Sequence, residues 1–340
     1  MADFKRHRIC VAPMMERTDR HCRFFLRQLS KHCLLYTEMV TTNAILHGDP
    51  DWLLKFNTAE HPVGLQLGGS DPEALASAAR IGAAYGYDEI NLNVGCPSDR
   101  VRSGRFGACL MAEPQLVAAC VAAMNDSVDL PVTVKTRIGI DAQDSYGFLQ
   151  KLLESVRAAG CRTVIIHARK AILGGLSPKE NRTVPPLKYE TVYRVKQDIP
   201  DLEVILNGGI TKLSAAATHL ESVDGVMFGR EAYHNPYILA GVDARFYGAT
   251  QQPPTRETII RNMRPYIEME LAAGTALKHI TRHLLGLYHG VPGARAWRRH
   301  LSQYATAGNA GIEVVEEALN TVNSLAVPAS SAPASQDVHG

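Results

Sequence analysis

The chain has 340 residues, 46% of them hydrophobic and 21% charged, with a formal net charge of +2. That is an ordinary globular composition with enough length for a large core and a second domain. It contains no apolar stretch near the ~20 residues of a membrane span, and its net charge is too small to signal nucleic-acid binding except through its distribution.

The N-terminus lacks the apolar stretch of a signal peptide. Short β-branched runs then recur at 8–12, 34–37, 63–67, 89–93, 132–135, 163–167, 204–207 and 225–228. Helical patterns lie between them, at 71–85 behind an Asp71-Pro72 cap pair, and at 113–124, 144–159 and 212–219. Eight strand–helix alternations predict an α/β fold, a (β/α)8 TIM barrel. A doubly wound open sheet is the competitor, but no G-x-G-x-x-G turn follows the first strand. After residue 245 the texture changes. Residues 251–255 read as a linker ending in a helix cap, and the pattern stays helical to about residue 325. The expected organisation is a catalytic barrel over 1–245, a small helical domain over 250–326 and a disordered low-complexity tail over 327–340. Seven cysteines, an odd number with no C-x-x-C spacing, argue against a disulfide framework, a structural zinc site or an iron–sulfur cluster. The expectation is a cytoplasmic protein with no metal and no membrane partner, acting as a monomer.

In a TIM barrel the C-terminal strand ends share one rim, where chemistry is done. Strand four ends in Asn93-Val94-Gly95-Cys96-Pro97. This puts one thiol on a loop whose backbone is shaped by a glycine before it and a proline after it. The other strand ends carry Pro13, Met14 and Met15 (strand one), Gln66 (three), Lys135 with Arg137 (five), His167 with Arg169 (six), Asn207-Gly208-Gly209 (seven) and Gly229-Arg230 (eight). Loops seven and eight are the usual phosphate site of this fold. Glycine N–H groups, a helix N-terminus and Arg230 would supply the charge there, although glycines also simply end strands. Lys135 could stabilise an anionic cofactor ring, or snorkel to solvent. Gln66 and His167 could hydrogen-bond the edge of such a ring, and Met14 and Met15 could lie against its face.

These residues resemble the bacterial tRNA-dihydrouridine synthases, and within them the A subfamily acting on positions 20 and 20a of the tRNA D-loop. The matching pieces include Ala12-Pro13-Met14, Gln66-Leu67-Gly68-Gly69, Asn91-Leu92-Asn93-Val94-Gly95-Cys96-Pro97-Ser98, Val134-Lys135-Thr136-Arg137, His167-Ala168-Arg169, Asn207-Gly208-Gly209 and Gly229-Arg230. The resemblance covers about residues 8–325. It implies FMN held by Pro13, Met14, Met15, Gln66, Lys135, His167, Asn207, Gly208, Gly209, Gly229 and Arg230, with NADPH as reductant. It also implies hydride transfer from the flavin to C6 of a flipped-out uracil, and Cys96 protonating C5 from the opposite face. Such a thiol should be protonated when it acts. Asn93 would hold the uridine, and Lys179, Arg182, Arg295 and Arg298 would contact tRNA. The loop at 100–110 would close over substrate.

The residues give RNA some independent support. From Ala272 to Ile312 there is no Asp or Glu, while Lys278, Arg282, Arg295, Arg298 and Arg299 fall in that stretch. Arg295, Arg298 and Arg299 share one helix face, which suits phosphate contacts as well as plain solvation. Rival readings are a flavin barrel acting on a free pyrimidine, like dihydroorotate dehydrogenase, a flavin-free barrel with Lys135 as Schiff-base amine, and a non-catalytic tRNA-binding protein.

Overall fold

The computed structural model describes residues 6–98 and 103–326; residues 99–102, in the loop after strand four, and the tail at 327–340 lie outside the described residues. Eight strands form a closed, all-parallel barrel in chain order. They are β1 (Ile9–Val11), β2 (Leu34–Thr41), β3 (Val63–Gly68), β4 (Glu89–Val94), β5 (Val132–Arg137), β6 (Thr163–His167), β7 (Glu203–Asn207) and β8 (Gly225–Phe228). Closure comes from β8 pairing back onto β1, with Cys10 opposite Met227. The expected TIM barrel is therefore present, and the open sheet is not.

Local chemistry explains the crossovers. Asp71 caps the helix Pro72–Ala84 by accepting the Ala74 N–H at 2.8 Å, with Pro72 pre-set at the first turn. Ser145 does the same for Tyr146–Ala158, accepting from Phe148 at 3.2 Å. The main departure from the sequence reading is β2, which runs on to Thr41 through a register shift between Tyr36 and Met39. Glu38 interrupts the apolar pattern there. The Thr37 hydroxyl bridges the irregularity, donating to the Glu38 carbonyl at 2.6 Å and accepting the Gln66 N–H at 3.0 Å.

Alternation along each strand decides what enters the barrel. Cys10, Leu34, Tyr36, Ile165, Ile205 and Met227 come from five neighbouring strands, β6, β7, β8, β1 and β2, and form one buried cluster. In β4 the polar set Glu89, Asn91 and Asn93 takes the inward phase, and Ile90, Leu92 and Val94 pack outward. At the foot of the barrel, His7 lies between two carboxylates, 2.6 Å from Glu89 and 2.9 Å from Glu203. Gly225 makes room for it, since a Cβ there would stand 2.1 Å from the His7 carbonyl oxygen.

The chain divides into two compact units, Met1–Pro254 and Thr255–Gly340. The residues up to Pro254 stay with the barrel because Tyr237 donates to the Pro254 carbonyl at 3.0 Å and Ala249 to that of Asp243 at 3.1 Å. The second unit consists of the helices Arg256–Ala272, Leu277–Leu284, Ala294–Tyr304 and Glu313–Ala326. Thr255 caps the first by accepting from Thr258 at 3.1 Å. Trp297 anchors their core, fully buried, its indole N–H donating to the Leu284 carbonyl at 2.9 Å.

Candidate active site at the barrel mouth

Cys96 is half-buried just past the end of β4. The Asn93 side chain folds the loop: its Oδ1 accepts the N–H groups of Gly95 at 3.1 Å and Cys96 at 2.9 Å. The Cys96 carbonyl accepts from Ala108 at 2.9 Å, which ties the loop to the segment that follows it. The thiol itself faces the Ser98 hydroxyl at 3.5 Å. Asn93 is thus committed to the loop through its oxygen, and Nδ2 donates one N–H to Gln66 at 2.8 Å, leaving one N–H for a base.

Beside the thiol stands a cluster of cations. Lys135, half-buried, has a neutral partner in Asn207, whose Oδ1 lies 3.2 Å from Nζ and whose Nδ2 donates to the Met227 carbonyl at 2.8 Å. Burial first, and then repulsion from Arg137, lower the Lys135 pKa to about 7. Arg137 falls to about 10, through burial and then the neighbouring Arg182 and Arg169. Burial and the same cations hold the His167 imidazole well below its ordinary value, so it is neutral at pH 7. No carboxylate among the described residues offsets these three groups. Three basic groups set together without an offsetting carboxylate are organised for an anion.

The two glycine loops close the same side. Gly208 has φ +117°, and a Cβ on it would stand 2.6 Å from His167 Cδ2; one on Gly209, with φ +70°, would stand 2.6 Å from Leu187 Cδ1. These positions favour glycine, and of the two Gly209 is exposed. Gly229 opens the helix Arg230–His234, which at five residues is too short to carry much dipole, so charge there comes from the exposed Arg230, whose guanidinium donates to the Arg182 carbonyl at 3.2 Å. On β1's loop Pro13 and Met14 are half-buried, and Met14 packs onto the interior cluster. Met15 is 52% exposed. Lys179 caps the short turn Glu180–Arg182 and Arg182 ends it, both exposed.

Two residues that hold this rim have no role in the sequence reading: Arg137, which it names beside Lys135 without a role, and Asn181, which it does not name. Arg137 reaches across it, donating from Nε to the Gly95 carbonyl at 2.9 Å and from Nη1 to the carbonyls of Lys170 and Asn181 at 3.1 and 3.0 Å. Asn181, fully buried, folds the loop after β6 through the Ile172 backbone, accepting its N–H at 2.7 Å and donating to its carbonyl at 2.9 Å. A signal for Arg137 existed, since it alternates in phase with Lys135. Asn181 had none, because its partners are loop backbone.

In the second unit, Arg295, Arg298 and Arg299 are exposed on the helix Ala294–Tyr304, the one with the fully buried Trp297. Lys278 is exposed as well.

The family described as dihydrouridine synthase (Dus) matches residues 10–323. The chain is 61% identical over 312 residues to the tRNA-dihydrouridine(20/20a) synthase of Shewanella oneidensis, spanning 92% of this chain and 93% of that one. It is 59% identical to the protein of that name from Vibrio cholerae, spanning 92% and 95%. The Escherichia coli K12 counterpart is 60% identical, spanning 93% and 91%.

Proposed function

The chain belongs to the dihydrouridine synthase family, whose members are flavin-dependent oxidoreductases, and from that membership we propose that it reduces uridine to 5,6-dihydrouridine at positions 20 and 20a of the tRNA D-loop. FMN is the flavin and NADPH its reductant. The barrel carries the chemistry, the helical unit contributes tRNA contacts, and the protein works as a monomer in the cytoplasm, where tRNA is found.

The observation that carries the reading is the half-buried Cys96 thiol beside Lys135, Arg137 and His167, three groups that no carboxylate among the described residues offsets. Those residues fit a phosphorylated flavin. Gly208, Gly209, Gly229 and Arg230 would hold the phosphate. Lys135, steadied by Asn207, would face negative charge on the ring, which would restore the charge its surroundings now suppress. Gln66 and neutral His167 would hydrogen-bond the ring, with Pro13, Met14 and Met15 against it. Bound flavin supplies the hydride that C6 of uracil accepts. Cys96 Sγ–H gives the proton that C5 needs, so hydride plus proton completes the saturated ring. Asn93 offers its remaining N–H to the base. Lys179, Arg182, Arg295 and Arg298 bind phosphates of the tRNA and set its orientation.

The test uses the purified protein, NADPH and tRNA from cells lacking it, with dihydrouridine mapped position by position. Dihydrouridine should form at 20 and 20a. Cys96→Ala should keep flavin reduction by NADPH and lose at least about 100-fold in uridine reduction. Equal loss of both half-reactions would return Cys96 to a folding or flavin-binding role. Reduction of a free pyrimidine in preference to tRNA would favour the dihydroorotate-dehydrogenase-like reading.

A further inference from the structure

A line of buried polar side chains runs through the barrel from its foot to Cys96. The backbone N–H groups of Cys96 and Gly95 donate to Asn93 Oδ1. Asn93 Nδ2 donates to Gln66 Oε1, Gln66 Nε2 to Asn91 Oδ1, and Asn91 Nδ2 to Thr133 Oγ1, each at 2.8 Å. Thr133 Oγ1 donates to Glu89 Oε1 at 2.6 Å, where Tyr36 also donates at 2.6 Å, and His7 holds the other oxygen. Asn93 is 8% exposed; Gln66, Asn91, Thr133 and Glu89 are 1% or less.

Both ends of this line have only one possible polarity. A backbone N–H can only donate and a carboxylate can only accept. Three amides and one hydroxyl lie between, and one orientation of each satisfies both ends. Turning a single amide sets N–H against N–H on one side and oxygen against oxygen on the other, a mismatch that costs most at the fully buried Asn91.

We propose that Glu89, Thr133 and Asn91 are positioning residues: the carboxylate at the foot of the barrel sets which way the Gln66 and Asn93 amides face, and so holds the Gly95–Cys96 backbone at the mouth. None of the three touches the thiol. The line leaves Gln66 and Asn93 with one N–H each, so both meet ligands as donors and select carbonyl oxygens or ring lone pairs. Its consequence for rate rests on Cys96 being the proton donor; its consequence for structure does not.

Neutron diffraction from crystals of the perdeuterated wild-type protein reads the polarity directly. Deuterons are expected on Asn93 Nδ2 toward Gln66, on Gln66 Nε2 toward Asn91, on Asn91 Nδ2 toward Thr133 and on Thr133 Oγ1 toward Glu89. Any one of them reversed overturns the proposal, and no variant has to fold. In solution, Thr133→Val keeps the shape and removes the link, whereas Thr133→Ser keeps the hydroxyl. In the holoenzyme, Thr133→Val should slow uridine reduction about 10-fold and leave flavin reduction by NADPH within about twofold, with Thr133→Ser near wild type. In the same variant, iodoacetamide alkylation of Cys96, followed by mass spectrometry, should speed up at least about threefold while that of Cys109 stays constant. Asn91→Leu cuts the same line, so adding it to Thr133→Val should add little. A Thr133→Val protein with a lower melting temperature but unchanged Cys96 alkylation and an unchanged ratio of the two half-reactions would make the line a core contact and nothing more. If Cys96→Ala retains uridine reduction, the kinetic arm fails with the functional reading, and the neutron and alkylation arms still decide the line itself.

Discussion

The foot and the mouth of the barrel both bury charge, and they treat it in opposite ways. At the foot, burial alone would hold the His7 imidazole below its ordinary value, but Glu203 and Glu89 outweigh it and push the pKa up to about 10. Every charge there has its counter-charge within hydrogen-bond reach. At the mouth, burial and mutual repulsion bring Lys135 down to about 7 and Arg137 to about 10, and the one side-chain partner of Lys135 among the described residues is the neutral Asn207. The paired set belongs to the fold. The unpaired set is a cost the fold carries until an anion arrives, which is how a binding site differs from a structural ion pair.

Substitution should break this contrast first at the foot. His7→Leu strands Glu89 and Glu203 without a cation and should cost about 3–5 kcal/mol in denaturant unfolding. Because the His7 pKa is raised on folding, its contribution is fully present below pH ~6.5, the unfolded value, and is lost as pH rises towards about 10. Wild-type stability should therefore fall across that window, and the His7→Leu curve should be flatter there. A steep fall in His7→Leu would assign the pH dependence elsewhere.

At the mouth the same operation should work in reverse. Lys135→Met removes an uncompensated charge, so stability should hold or rise, while FMN affinity of the flavin-stripped protein should drop about 10–100-fold. With Lys135 present, FMN binding near pH 8 should take up a proton, since the anion restores a charge that is largely absent at that pH. Calorimetry in two buffers of different ionisation enthalpy measures that uptake, and Lys135→Met should abolish it. Affinity unchanged by Lys135→Met would mean that the lysine does not face the ligand.

Smaller effects test the periphery. Gly208→Ala puts a Cβ against His167 at φ +117° and should cost about 1–3 kcal/mol in stability together with weaker flavin retention. Arg295→Ala and Arg298→Ala should each weaken tRNA binding about threefold to 10-fold, lower the salt slope by about one, and leave the melting temperature unchanged. Binding and salt slope both unchanged would leave that helix face as plain solvated surface.

Much of this contrast was legible in the sequence at the mouth and little of it at the foot. Cys96, Lys135, His167 and Gly208-Gly209 each end a β-branched run, so counting strands placed them on one rim before any contact was known. His7 lies just ahead of the first predicted strand, and Glu89 and Glu203 lie at or next to predicted strand starts, where a charged residue reads as a solvated end. The β-branched run ends at Thr37, before Glu38 breaks the apolar pattern, and the Thr37 hydroxyl that carries strand β2 past it is a tertiary detail. The two methionines after Pro13 read as a matched pair, yet one packs into the barrel and the other faces solvent.

What the sequence determined alone is what depends on neighbours along the chain. That includes the strands, from their β-branched runs; the helix starts, from Asp71-Pro72 and Thr255; the eightfold alternation that closes a parallel sheet; and the motifs at its rim. The tertiary structure decided what depends on phase and on partners from other strands. Glu89-Ile90-Asn91-Leu92-Asn93 alternates polar with apolar, and the string is the same whichever set faces inward. Closure of the barrel turned the polar set inside, where Gln66, Asn91 and Thr133 meet across three strands. Deprived of water, those groups can be satisfied only by one another, and that need converts a row of separate side chains into a directed line ending at Cys96.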